Sequence, residues 1–339
     1  MAFGYGVYFT DREKNRVVRW NPDSGETDVV AGEPTDGAPD QRLRDPYALA
    51  WDSDGRLLIT DKLHHRIVRL KNGRLEELQV KDKDGHRSRR PDSRRGYFPT
   101  PLRSPSGLFV EKGGTLLATY YNDHTAYRIQ ADGRLELLLG ISPCRPYFIA
   151  ERRESVPPPE VADTPLFKPA GILAGSDGMV YLIERGYQVV REFHPKRGYL
   201  SLFPLARQGE SRGKPHAPEQ CPISEYCPVY PGSLALDAKG TLFVTEVFHR
   251  CILEVDLSGR KVRRVMESAS PAGQGMGGIS GLTFGTDGTA WIVDGAAGLV
   301  QGYETSAKKP WKPLGAALKE IKGNPLRFPS GGAGIVIGA

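Results

Sequence analysis

The sequence has no long apolar stretch and no extended helical periodicity. Of its 339 residues, 39% are hydrophobic and 25% are charged. Charged residues interrupt every apolar run before it reaches the ~18 residues that a membrane helix requires. The first residues also lack the basic and apolar segments of a secretory signal. We therefore expect neither a membrane segment nor a signal peptide in this sequence, and the localisation stays open.

Cysteine is scarce, and two common catalytic signatures are missing. The four cysteines include no CxxC pair, which excludes a scaffold held together by disulfides. Cys221 and Cys227 flank a short loop and could form one disulfide in an oxidising compartment. P-loop and zinc-protease motifs are absent. No nucleic-acid motif occurs, so nucleic acid is not the expected partner, although the net charge of +6 permits an anionic one.

The sequence does contain a repeated unit of four short apolar segments separated by turns. Five copies occur, at 44–80, 103–140, 168–205, 230–267 and 278–314. The first turn of every copy places a glycine at an equivalent position, namely Gly55, Gly114, Gly178, Gly240 and Gly288. Short segments bounded by glycine turns predict antiparallel hairpins. Nearly constant spacing within the unit predicts four-stranded blades, joined by loops of variable length.

The two ends of the chain supply a sixth unit. Residues 1–31 match the second to fourth strands of the repeat, and residues 327–339 match its first strand. Joining them closes a ring and removes the exposed sheet edges that an incomplete blade would leave. We therefore predict an all-β fold and a single domain over 1–339. It is a six-bladed β-propeller of four-stranded antiparallel blades, in which the C-terminal strand completes the N-terminal blade.

The repeat resembles the NHL family of propellers. The segment LRDPYALAWDSDGRLLITDKLHHRIVRL has a proline before the inner strand, a DG turn and an acid that ends the second strand. The resemblance covers nearly the whole chain and implies the fold rather than a function. Lactonases and amidating lyases with this architecture carry acids, amides or histidines on the innermost strands. The corresponding starts here contain none of these: PYALA, PSGLF, PAGIL, PGSLA, ISGLT and PSGGA.

One face of the predicted ring carries all the long connections. The loops between blades and the turns between the second and third strands emerge together, and we call this side the looped face. The opposite face has only tight glycine turns. Insertions confined to one face of a repeat array mark its binding face, so we expect a protein or small-molecule ligand to bind there.

Acids end the second strand of five units on the looped face. They are Asp11, Asp61, Glu184, Glu246 and Asp294. Such acids either cap the following turn by accepting backbone N–H groups or form a ring that binds a divalent cation at the channel mouth. No cofactor or metal site is predicted from them. Glutamate caps a turn less well than aspartate, so Glu184 and Glu246 are the stronger candidates for chemistry.

The segment TEVFHRCILEV resembles strictosidine-synthase-like propellers, and that resemblance implies an acid–base role for Glu246. Glu184 would assist it or hold a cation, and His124 in the irregular third unit is a further catalytic candidate. Such a lyase, hydrolase or condensing enzyme is the alternative function. A catalytic glutamate would need apolar surroundings that raise its pKa toward neutrality.

Aromatic and basic residues of the looped face support the leading hypothesis, a non-catalytic binding scaffold. The predicted contact residues are Tyr47, Tyr120, Tyr121, Tyr187 and Phe248, because tyrosine is enriched at interface hot spots. Within 86–95 lies a run of arginines that can grip an anionic partner bidentately. Four of these arginines are predicted to bind the ligand, namely Arg89, Arg90, Arg94 and Arg95.

Overall fold

The computed structural model describes thirteen segments of the chain. They are residues 5–32, 39–81, 102–140, 166–194, 198–202, 220–223, 230–267, 278–295, 297–306, 310–315, 317–321, 324–326 and 334–338. Almost all of their regular structure is antiparallel β-sheet, arranged as six blades. This confirms the predicted six-bladed propeller.

The first three blades take in both ends of the chain. The first blade contains β1 (Gly6–Asp11), β2 (Arg16–Trp20), β3 (Thr27–Ala31) and the last strand, β27 (Ile335–Gly338). The second contains β4 (Pro46–Trp51), β5 (Leu57–Asp61), β6 (Arg66–Lys71) and β7 (Arg74–Glu77). The third contains β8 (Pro105–Val110), β9 (Leu116–Tyr120), β10 (Thr125–Ile129) and β11 (Leu135–Leu139).

The remaining blades follow the same order, and the fifth gains an extra strand. The fourth contains β12 (Pro169–Ala174), β13 (Val180–Glu184), β14 (Val189–His194) and β15 (Gly198–Ser201). The fifth contains β16 (Gln220–Pro222), β17 (Pro231–Leu236), β18 (Leu242–Glu246), β19 (Cys251–Asp256) and β20 (Lys261–Glu267). The sixth contains β21 (Ile279–Phe284), β22 (Ala290–Asp294), β23 (Leu299–Glu304) and β24 (Lys312–Pro313).

The other elements are short. A two-stranded ribbon joins β25 (Glu320–Ile321) to β26 (Asn324–Pro325). Single 3₁₀ turns cover Pro39–Gln41 and Lys62–His64. Among the described residues, no helix has the length and apolar character needed to cross a membrane.

Pairing of the two chain ends closes the ring. Strand β27 runs antiparallel to β1, with Gly338 opposite Gly6 and Ile335 opposite Phe9. The indole Nε1 of Trp51, in the neighbouring blade, donates a hydrogen bond of 2.7 Å to a carbonyl of β27. The C-terminal strand is therefore the innermost strand of the first blade, as predicted.

At the start of the innermost strand, a buried threonine accepts a backbone N–H that a β-bulge takes out of the strand pairing. In the second blade the register of β4 on β5 shifts between Pro46 and Leu49. The N–H of Ala48, within the shifted segment, donates instead to Oγ1 of Thr60 at 2.7 Å. Threonine recurs as the penultimate residue of the second strand in three other blades and accepts equivalent N–H groups there: Thr10, Thr119 and Thr245. This removes the cost of a buried, unpaired N–H at each of these positions.

Neighbouring innermost strands pass too close for large side chains. A Cβ added to Gly107 in β8 would lie 2.7 Å from the carbonyl oxygen of Ala170 in β12, well inside van der Waals contact. Apolar clusters fill the space between blades farther from the axis, as where Trp20 packs against Trp291. The small residues of the innermost strands are therefore a packing requirement.

We expect closure of the ring to contribute measurably to stability. Ile335 is buried in the cluster between the first and sixth blades. Truncating it in Ile335→Ala should lower the free energy of unfolding by about 2–5 kcal/mol, and the control Ile335→Val by about 0.5–1.5 kcal/mol. Urea denaturation measures both values. An Ile335→Ala variant as stable as the parent would contradict the pairing of β27 with β1.

Candidate functional site

The two glutamates predicted as catalytic anchor the chain inside the blades. Both side chains are 0% exposed. Glu184 accepts the backbone N–H of Phe167 at 2.6 Å and the Nε of Arg191 at 2.8 Å. Glu246 accepts the N–H of Tyr230 at 2.7 Å. Each carboxylate therefore holds the segment that leads into the innermost strand of its blade, and the catalytic role of both residues stays a prediction.

The other acids do the same or cap turns. Asp61 accepts the N–H of Arg44 at 2.7 Å, whereas Asp11 and Asp294 accept N–H groups of the turns that follow them. Each carboxylate thus serves its own blade. Among the described residues, no group of three or more His, Cys, Asp or Glu side chains could hold a metal ion.

In the third blade this anchoring acid is displaced by three residues. Tyr120 occupies the place of the acid opposite Pro105, and Asp123 instead accepts the N–H and Nε groups of Arg103. Tyr120 is 2% exposed and packs edge-on against Tyr127, with ring centroids 5.7 Å apart. Tyr120 is therefore packed in the core of its blade, and its role as a contact residue stays a prediction.

Other predicted contact residues lie at the looped face. Phe248 is 69% exposed, whereas Tyr47 is 6% exposed. Tyr121 and Tyr187 are half-buried. The four arginines predicted within 86–95 lie outside the described residues. Cys227 does too, and with it the predicted Cys221–Cys227 disulfide.

His124 joins two blades and is committed to a backbone hydrogen bond. Its Nδ1 accepts the N–H of Lys168 at 3.0 Å, and its ring stacks on Phe167. Its backbone has a φ of 58°, a left-handed conformation that histidine adopts more often than most residues. An imidazole that accepts through Nδ1 in this way positions the backbone of the next blade, and the catalytic role of His124 stays a prediction.

The same contact recurs between other blades. Nδ1 of His65 accepts the N–H of Ser104 at 3.1 Å, and Oδ1 of Asn15 accepts the N–H of Asp45 at 2.8 Å. All three acceptors and all three donors have φ between 54° and 60°. Burial is the main cause that lowers the pKa of His65 and of His124, so both imidazoles stay neutral and able to accept.

Cationic and aromatic side chains converge from several blades at the mouth of the channel on the looped face. Three cations directly follow the acid that ends the second strand: Arg12, Lys62 and Arg185. Five further residues surround them. We call the set the mouth cluster, and it consists of Arg12, Asp45, Tyr47, Lys62, Tyr121, Lys168, Arg185 and Tyr230.

Lys62 lies at the centre of the mouth cluster. Its Nζ is 4.7 Å from the ring centroids of both Tyr47 and Tyr121, and 3.6 Å from Oδ2 of Asp45. The side chain is 14% exposed. Burial is the main cause that lowers the pKa of Lys62 to about 8; Asp45 opposes this shift, and the cations Arg12 and Arg185 add to it.

Arg185 spans the mouth and keeps unused donor capacity. Its guanidinium carbon lies 5.7 Å from the ring of Tyr47 in the second blade and 5.1 Å from that of Tyr230, just before the fifth. Its Nε and the hydroxyl of Tyr47 are both buried and have no hydrogen-bond partner among the described residues. Buried donors without partners are costly, so these two groups are suited to receive a ligand.

The cavity in the channel beneath the mouth cluster is too small in volume for a ligand of ordinary size. Its cavity has a volume of about 110 Å³, whereas pockets for drug-sized ligands run to ~300–1,000 Å³. Small residues of the innermost strands line it, including Gly107, Gly171 and Gly232, with Tyr47 at its end. The described lining includes neither glutamate that was predicted as catalytic. A ligand would therefore bind at the mouth.

The repeat itself contains a signal for these cations. When the units are aligned on the acid that ends the second strand, the next residue is basic in three of them. In these three units the acid accepts a backbone N–H of its own blade, and the cation that follows it reaches the mouth.

Comparison with known proteins supports the fold. No protein-family model matches the chain, and no curated protein matches it by sequence. A crystal structure of a nidogen/laminin complex includes a chain with a TM-score of 0.59 and 15% identity, covering 98% of this chain and 98% of that one. The chain is thus a six-bladed propeller similar to known ones.

Enzymes of the same shape also match. A catalytically inactive virginiamycin B lyase from Staphylococcus aureus, solved with quinupristin, has a TM-score of 0.53 and 15% identity over 98% of this chain and 92% of that one. A gluconolactonase-like protein has a TM-score of 0.50 and 13% identity, covering 80% and 78%. At these identities the likeness establishes the fold alone.

The histidine contacts predict a specific pH dependence of stability. The pKa of each histidine is lower in the folded protein than its usual ~6.5, so their contribution is complete above that pH and is lost as the pH falls below it. The double variant His65→Asn/His124→Asn keeps a side-chain acceptor, as Asn15 does, but cannot be protonated. Between pH 7.5 and 5 it should lose less stability in urea denaturation than the parent.

Asp123 does not obscure this comparison. Burial raises the pKa of Asp123 to about 6, so its contribution to stability grows as the pH falls. This change is opposite in sign to that of the histidines, and it is the same in the parent and the double variant. Parallel pH profiles for parent and variant would contradict the proposed role of the two histidines.

The role of Glu246 as an anchor is open to a matched test. Glu246→Gln keeps an oxygen that can accept the N–H of Tyr230, whereas Glu246→Ala leaves that N–H buried and unpaired. We expect Glu246→Ala to lose about 1–3 kcal/mol more stability than Glu246→Gln, as measured by chemical denaturation. Equal stability of the two variants would refute the anchor.

Proposed function

We propose that the protein is an NHL-type binding propeller that takes an anionic group, a carboxylate or phosphate, at the mouth cluster on its looped face. The observation that carries this is the charge of the cluster. The cluster holds four cationic side chains, Arg12, Lys62, Lys168 and Arg185, and one carboxylate, that of Asp45. Asp45 contacts Arg12 and Lys62, whereas Lys168 and Arg185 contact aromatic rings.

Burial strengthens the attraction of this positive charge for an anion. Around Lys62 the aromatic rings of Tyr47 and Tyr121 replace water, so like charges repel more strongly there than in solvent. An incoming anion relieves that repulsion and receives hydrogen bonds from groups that are already in place. Guanidinium groups suit this task because their planar donors match carboxylate and phosphate geometry.

The surroundings of the mouth favour a ligand that is larger than its anionic group. Phe248 and Leu63 are exposed on turns of the looped face, and Tyr187 lies nearby against Phe167. Aromatic and apolar groups beside a charged centre are typical of recognition surfaces. A small acid, or an acidic side chain of a protein partner, would present the same chemistry to the cluster.

The alternative function, an enzyme of strictosidine-synthase-like, lyase or hydrolase type, has less support. It depends on Glu246 as an acid–base group, and that carboxylate is buried and holds the N–H of Tyr230. The similar lyase structures share the fold at low identity. We therefore favour binding over catalysis.

Removing one cation should weaken the anion site without unfolding the protein. We expect Arg185→Gln to weaken the binding of pyruvate or inorganic phosphate by about 10- to 100-fold, the value of a charged hydrogen bond in a partly buried site. Isothermal titration calorimetry at low salt measures this.

The matched control is Arg134→Gln. Arg134 pairs with Asp132 in an exposed turn on the opposite face, so its loss should leave the affinity unchanged. Equal weakening by both substitutions would indicate a diffuse effect of net charge, and undiminished binding to Arg185→Gln would refute the proposed site.

A further inference from the structure

Lys62 is placed as a nucleophile as well as a charge. Its Nζ lies between two aromatic rings, close to a single carboxylate. Every other charged group facing it in the cluster is a cation: Arg12 and Arg185 act on it directly, and Nζ of Lys168 lies 5.9 Å from the ring centroid of Tyr121. Desolvation and neighbouring cations are the two means by which proteins activate a lysine amine.

The arginines would present a carbonyl compound to this amine. Arg185 contacts the same tyrosine ring as Lys62, and so does Arg12. A carboxylate held by these guanidiniums would carry its neighbouring carbon to the amine. In a 2-oxo acid that neighbouring carbon is an electrophilic carbonyl carbon.

We infer that Lys62 forms a reversible imine with an oxo acid whose carboxylate is held by Arg12 and Arg185. The inference rests on the proposed function and names the class of ligand. It adds a covalent step that simple anion binding does not require.

The step balances without any further reactant. Asp45, 3.6 Å from Nζ, takes a proton from the ammonium, and the free amine attacks the carbonyl carbon. The new C–N bond forms, and the carbonyl oxygen leaves as water after it has received two protons, one of them returned by Asp45. Ammonium and carbonyl thus become a protonated imine and water, and nothing is oxidised or reduced.

Burial and the neighbouring cations also hold the amine in a reactive state. With a pKa of about 8, roughly a tenth of Lys62 is neutral at pH 7, whereas an ordinary lysine is almost wholly protonated there. Imine formation should therefore be selective for this residue.

The experiment traps the imine. The intact protein is incubated with glyoxylate at pH 7 and sodium cyanoborohydride, and peptide mass spectrometry locates the resulting carboxymethyl-lysine. We expect Lys62 to be labelled roughly tenfold faster than the exposed Lys71 of the same chain. Excess glycolate, which has the carboxylate but no carbonyl, should slow the labelling of Lys62 and leave Lys71 unaffected.

Variants separate this inference from the proposed function. Lys62→Arg should lose the selective label, Arg185→Gln should weaken both the label and the binding of glycolate in calorimetry, and the control Arg134→Gln should change neither. If glycolate binds but Lys62 reacts no faster than Lys71, the imine is refuted and the anion site stands. If a neutral aldehyde labels Lys62 as fast as glyoxylate does, recognition of the oxo acid is refuted. If glycolate does not bind and Lys62 is not selectively labelled, both proposals fail.

Discussion

Close approach of the innermost strands around the axis determines what this propeller can do. Strand β27 must pair with β1 to complete the ring, and the strands then lie so near each other that Gly107 has no room for a Cβ beside Ala170. The channel is consequently narrow and lined by small residues. Chemistry therefore has to be presented at the ends of the channel.

Local hydrogen bonds then decide which side chains reach the mouth. The buried acids at the ends of the second strands accept backbone N–H groups. The donor lies in the segment that leads into the innermost strand, as Arg44 does for Asp61, or in the following turn, as Lys14 does for Asp11. Anchored in this way, the chain places the residue after the acid at a defined position. In three blades that residue is a cation, and its packing against tyrosines keeps the positive charges close together. The anion site is a consequence of this rigidity, because flexible cations would separate into solvent.

The repeat and its closure could be read from the sequence because both depend on local turn chemistry. Gly55 and Gly114 do adopt the positive φ that their tight turns require. The third blade was harder, because moving the acid from the place of Tyr120 to Asp123 changes only one turn and leaves the strand pattern intact. The extra strand β16 could not be predicted, because no periodic pattern in the sequence indicates its pairing with β20. The backbone hydrogen bonds of His65 and His124 could not be predicted either, because their partners lie in the following blade.

The mouth cluster shows what a repeat alignment can and cannot provide. It reveals that Arg12, Lys62 and Arg185 occupy equivalent positions, but their convergence with Tyr47 and Tyr121 is a property of the closed ring. Lys62 becomes buried only after six blades have assembled, and this burial lowers its pKa.

The most direct measurement of the central claim is the titration of Lys62 by NMR, using protein labelled with ¹³C at lysine Cε and the Lys62→Arg variant for assignment. The account predicts a pKa near 8 in the free protein and a clear rise when phosphate is added, because a bound anion favours the ammonium. A pKa near the ordinary ~10.4 of lysine that does not respond to phosphate would contradict it.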